Sequence, residues 1–218
     1  MRATLVIPVL LNLLTVAVLA YVGSRLFVGA RIALTAAARR HIVEMLRGVR
    51  LRHVVLAPVV VALVIAAFAL LYQVPPLRWG WWTQIGGQGN PVVGVTDQTK
   101  GSPLEWIVPA VFLTLLLPAL PLFAEREERM FRAGAEEWSL GRRIRRGLEF
   151  GLVHALIGIP IAAALALSIG GWYFTAMYLR VWNRTHDREL AVLESTRAHF
   201  VYNAEALLLI AVALLSGL

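Results

Sequence analysis

The sequence predicts an all-α fold: a polytopic membrane bundle of about five to seven helices, at least one of them broken or re-entrant. Three observations carry that expectation. The 218-residue chain is 59% hydrophobic, where a soluble domain averages about 45–50% apolar. Its mean hydropathy is +0.70, concentrated in long apolar runs. Arginines gather in the connectors between those runs. The formal net charge is +8, which in a soluble chain would suggest nucleic acid as a partner. Beside apolar spans it reads as topology and contact with lipid headgroups. The bilayer is therefore the expected partner and nucleic acid is not. The chain has no Cys, which excludes disulfides, thiolate metal sites and Cys nucleophiles. One membrane domain is expected, with residues 1–103 supplying N-terminal helices and 104–218 a core.

The elements follow in order. Residues 5–23 form an apolar run interrupted by Asn12, read as a spanning helix that ends at Ser24-Arg25. The run is too long for the apolar part of a cleavable signal peptide, and no clear cleavage site follows it. The connector to His53 carries seven arginines from Arg25 to Arg52 and is assigned to the cytoplasmic side. Its helical spacing from Arg31 to Arg52 predicts an amphipathic surface helix. His41 and Glu44 within it read as a solvated face. Residues 54–72 form a second span, ended by Pro75-Pro76. Residues 77–103 read as an extracytoplasmic loop with Trp79, Trp81 and Trp82 as an interfacial belt. Its Gly86-Gly87-Gln88-Gly89 cluster lacks the Gly-Lys-Ser/Thr of a phosphate loop.

Residues 104–123 return to the cytoplasmic side and lead into the charged stretch 125–146. The next apolar run covers residues 148–181, with Gly158-Ile159-Pro160 expected to bend or break it. A polar turn at 183–189 precedes a last apolar helix at 192–215. This order raises a conflict. About 34 residues are too few for two crossings of roughly 20 residues each. A single crossing would start the last helix on the side opposite Glu127. The expectation is a short helix carrying His154, ending near Pro160, followed by a tilted helix.

Three groups of polar residues stand out. Glu127 and Glu128 sit at the edge of an apolar run, where carboxylates are costly. Glu128 and Arg132 are spaced to meet on one helix face. His154 lies inside an apolar run with Phe150 one turn before it, placed to wall the imidazole from water. His199 and Asn203 have i, i+4 spacing, and two hydrogen-bond donors on one face suit an oxyanion site. Glutamate and two histidines are also a possible zinc set.

In this order, Glu127-Glu128-x-x-Phe131-Arg132, Phe150-x-x-x-His154 and His199-x-x-x-Asn203 resemble the three motifs of the CPBP intramembrane glutamic proteases. That family includes the Ras-converting CAAX-prenyl endopeptidases and the Abi-type bacterial proteins. The resemblance covers about residues 104–218 and leaves the first two helices outside it. It implies that Glu127 is the general base activating water and that His154 holds that water with it. His199 and Asn203 would stabilise the oxyanion, with Glu128, Arg132 and Phe150 as supports. It implies no metal and no cofactor, which sets the zinc reading below the glutamic one. An apolar setting strengthens a carboxylate as a base.

The function so implied is hydrolysis of a peptide bond in a membrane-associated peptide or protein. Prenylated CAAX-type, leader and C-terminal sorting peptides are the substrate options. The implied location is the bacterial cytoplasmic (inner) membrane. The alternative is a non-catalytic Abi-type immunity or scaffold protein. A fainter likeness of Arg197-Ala198-His199, with Asn203 and Glu205, is to glutathione-handling MAPEG enzymes, but the Asn spacing is off. Rhomboid-type serine and presenilin-type aspartic motifs are absent.

Overall fold

The computed structural model describes residues 3–87, 91–92 and 99–216. Among the described residues there are seven α-helices and no strand. They are α1 (Ala3–Ala33), α2 (Ala36–Arg47), α3 (Leu51–Leu71), α4 (Leu104–Arg132), α5 (Leu140–Val153), α6 (Ile161–Thr185) and α7 (Arg188–Ser216). The all-α membrane bundle expected from composition is what is found. Among the described residues four stretches are long and apolar enough to cross a membrane: Asn12–Ala33, Leu51–Leu71, Leu104–Glu137 and Ile161–Thr185.

The first helix differs from expectation. It does not end at Ser24-Arg25 but continues to Ala33, because nothing in Arg25 or Gly29 stops a helix whose neighbour supports it. It packs in parallel with α4, Gly23 facing Phe112 and Gly29 facing Phe123. The amphipathic connector helix is present as α2, shorter than the sequence suggested. Thr35 caps it, its hydroxyl accepting from the Ala38 amide at 3.3 Å. Met45 is its buried anchor. His41 is not only solvated, since its Nε2 lies 2.6 Å from Glu125 Oε2 on α4.

The connector after α3 holds two short 3₁₀ turns, Pro75–Arg78 and Thr83–Ile85. Trp79 is exposed as a belt residue would be, but Trp81 and Trp82 are buried at 9% and 5% exposure. They pack instead against Gly158, where an added Cβ would lie 2.9 Å from Trp82 Cβ and 3.2 Å from Trp81 Cζ2. Gln88 and Gly89 of the glycine cluster lie outside the described residues.

The expected break at Gly158-Ile159-Pro160 is real and sharper than a bend. α5 passes into a 3₁₀ turn, His154–Ile157, and Gly158 closes it at φ 92°, a left-handed conformation that glycine adopts without strain. Pro160 then caps α6. The two helices form an antiparallel hairpin. Its close approach is made by Gly147 and Gly151, one turn apart on α5: a Cβ on Gly151 would sit 2.2 Å from the Ala164 carbonyl oxygen. Small residues at this spacing let membrane helices touch backbone to backbone.

The hairpin removes the topological conflict. Its tip meets the α3–α4 connector: the Ile161 amide donates to the Trp79 carbonyl at 2.9 Å, and Trp81 Nε1 donates to the Leu156 carbonyl at 3.2 Å. Residues 148–181 thus belong to two helices, one leading away from the end where α4 finishes and one leading back. The short helix ending near Pro160 is as expected, but its start is not: α5 begins at Leu140, inside the arginine stretch. Arg146 donates to the Met130 carbonyl at 2.6 Å and Arg143 to the Ala135 carbonyl at 3.0 Å. These arginines satisfy carbonyls at and just past the α4 C-terminus. α7 therefore starts at the arginine-rich end, where α4 stops.

Candidate active site

Glu127 and Glu128 occupy the last turns of α4. Neighbours in sequence on a helix point about 100° apart, and here the separation divides a buried carboxylate from an accessible one. Glu128 is fully buried, with Arg132 at 1% exposure beside it. Arg132 Nη1 is 3.1 Å from Glu128 Oε1, the pairing their spacing predicted. The Arg132 guanidinium also donates to the Gly171 carbonyl at 3.2 Å and lies over the Phe150 ring, 4.2 Å from its centroid. A buried charge without such partners would be strongly destabilising.

His199 of α7 completes the group. Its Nδ1 is 2.8 Å from Glu128 Oε1. A carboxylate only accepts, so Nδ1 carries the proton and Nε2 is the free nitrogen. Nε2 faces Glu127, 3.7 Å from Oε2. That is too long for a direct hydrogen bond and short enough for both groups to hold one water. Glu127 keeps a third of its side chain accessible. Arg132, Glu128, His199 and Glu127 so form a line whose charges alternate when the imidazole is protonated. The imidazole plane is set by Phe174, stacked at 4.3 Å and 20°.

Phe150 is the hub of the surrounding apolar shell. Its ring contacts Phe131 at 5.5 Å, His154 at 5.2 Å and His199 at 5.5 Å, centroid to centroid. His154 does not lie within a regular helix: it is the C-cap of α5 and opens the 3₁₀ turn. Its Nδ1 donates to the Phe150 carbonyl at 2.8 Å, which leaves Nε2 as an acceptor. Asn203 lies one turn beyond His199 on α7, half-buried. Among the described residues no hydrogen bond joins His154 or Asn203 to Glu127, so the imidazole nearest Glu127 is that of His199. Among the described residues no three acidic or histidine side chains converge as metal ligands do.

Sequence reasoning missed a second buried cluster. His53 on α3 is fully buried. Its Nδ1 accepts from the Arg50 amide at 3.0 Å, so Nε2 carries the proton and donates to Glu194 Oε1 at 2.8 Å. Arg52 Nε donates to the same oxygen at 2.9 Å. The signal was available: Glu194 is an acidic residue inside an apolar run and must have a partner.

The bundle and its buried polar line define a polytopic helical membrane protein with an ordered acid–imidazole cluster near one end. The chain matches no protein-family model, no curated protein and no solved structure.

Proposed function

We propose that the protein is an intramembrane endopeptidase that hydrolyses a peptide bond of a membrane-associated substrate without a metal, in the manner of the CPBP proteases that its motifs resemble. The observation that carries this reading is the 3.7 Å approach of Glu127 Oε2 to His199 Nε2, with the other ring nitrogen already committed to Glu128. In this mechanism Glu127 takes a proton from a water held beside it, and the resulting hydroxide attacks the scissile carbonyl carbon. The oxyanion is stabilised by the Asn203 side-chain amide and by His199 Nε2–H, a donor when the imidazole is protonated. Glu127 returns the proton to the leaving amine as the C–N bond breaks. His154 Nε2 accepts a hydrogen bond from the attacking water.

Glu128 and Arg132 hold His199 and touch no substrate. Phe150 and Phe174 keep bulk water from the imidazole. Substrate options are prenylated, leader or sorting peptides, and the bacterial inner membrane is the location that fits the family. The test is a comparison of protein termini in membranes carrying wild type, Glu127→Gln, His154→Gln or His199→Gln at equal abundance. New termini in wild type alone support the reading. The same termini in all four overturn it and favour a non-catalytic scaffold.

A further inference from the structure

A second concave site lies at the arginine-rich end and shares no lining residue with the Glu127–His199 line. Arg50 and Arg52 at the start of α3, Arg180 and Arg184 near the end of α6, and Arg197 and Glu194 of α7 enclose a cavity of about 200 Å³. That leaves room for a phosphate group with several waters. Five arginines line it with one carboxylate, and that carboxylate is already paired, its Oε2 lying 3.7 Å from Arg197 Nη1. Glu194 already accepts from Arg52 and His53, and Arg197 is held by the Met45 carbonyl at 3.0 Å. Arg50, Arg180 and Arg184 have no acidic partner among the described residues.

The arrangement is unfavourable without an anion. Arg180 and Arg184 are one turn apart on α6, a spacing at which like charges repel. Arg50 and Arg52 sit at the N-terminus of α3, the positive end of the helix dipole. The preference of membrane proteins for arginine on the cytoplasmic side explains why the residues are at this end. It does not explain why three separate helices direct them into one cavity. Guanidinium groups bind phosphate oxygens in paired hydrogen bonds, which lysine does not reproduce.

We propose that this cavity binds a phosphate group, held between α3, α6 and α7 at the membrane boundary. The chemistry is the same for the headgroup of an anionic phospholipid and for free phosphate. Bound there, the phosphate would tie α7 to α3 and α6 less than one turn from His199.

The experiment uses the full chain, delipidated in neutral detergent. Binding of phosphatidylglycerol, phosphatidylcholine and inorganic phosphate is measured by the ligand-induced rise in melting temperature. The variants are Arg180→Gln/Arg184→Gln and, as a control, Arg39→Gln/Arg40→Gln on α2. Among the described residues the side chains of all four make no ion pair, and Arg39 enters a capping hydrogen bond only through its backbone amide. The expected result is a phosphatidylglycerol response that phosphatidylcholine does not give, with affinity falling about tenfold or more in the α6 variant and unchanged in the control. A response to inorganic phosphate with the same dependence on Arg180 and Arg184 assigns free phosphate instead. Equal responses of both variants to both phosphate ligands, or no response in wild type, overturn the proposal.

Discussion

Two adjacent glutamates do different things, and the difference is one of burial. Glu128 has no exposed surface and serves both Arg132 and His199. Replacing it by Ala leaves a buried guanidinium without its counter-charge and a buried Nδ1–H without its acceptor. The expected loss is about 3–5 kcal/mol, read as a lower unfolding midpoint in a denaturing-detergent titration. Glu127→Gln removes a partly solvated charge that makes no short contact. Its expected effect on the same midpoint is within about 0.5 kcal/mol, while cleavage is lost. Equal destabilisation by both changes would mean that Glu127 is a structural residue. The spacing of Glu128 and Arg132 was legible in the sequence because i, i+4 geometry is local. That Glu128 also holds His199, 71 residues later, was not, since no local pattern reports which face of α7 meets α4. Phe174 was not legible either: one aromatic in an apolar run looks like any other until the helices are packed.

Among the helices, the α5–α6 hairpin decides whether the site can form, because it carries Phe150, His154 and Phe174 together. Its weak point is the glycine contact. Gly151→Leu drives a side chain into the Ala164 carbonyl and Ser168. It should lower stability by about 1–3 kcal/mol or more, as overpacking does, and displace Phe150 from Arg132. Gly141 on the same helix has open space around it. Gly141→Ala should raise helix stability by up to about 1 kcal/mol. Thermal unfolding of the two variants in detergent checks the pair; a neutral Gly151→Leu would show that the helices do not approach as closely as described. The break at Gly158-Ile159-Pro160 could be read from its residues. The start of α5 could not, since Arg142 to Arg146 reads as a solvated charge run. Arg143 and Arg146 supply donors to neighbouring carbonyls, a requirement visible only in three dimensions.

For the molecule as a whole, the hairpin fixes topology. One crossing between residues 148 and 181 would put Arg142 and Asn183 on opposite faces of the membrane; two put them on the same face. The chain has no Cys, so Arg142→Cys, Asn183→Cys and Gln84→Cys each report a single exposed position to an impermeant maleimide. Labelling of the first two from one side and of Gln84 from the other is expected. The hydropathy runs were enough to establish a helical membrane bundle, because apolar length is a direct physical requirement of spanning a bilayer. They undercounted the chain reversals, because α5 is too charged to announce itself.

The most direct test of the account follows the oxygen atom of the attacking water. Purified wild-type protein and Glu127→Gln are incubated with solubilised membrane proteins in water enriched in heavy oxygen, and new C-termini are weighed by mass spectrometry. The expected result is new C-terminal carboxylates that carry one heavy oxygen with wild type and none with Glu127→Gln. New labelled C-termini of equal abundance in both samples, or none with wild type, would contradict it.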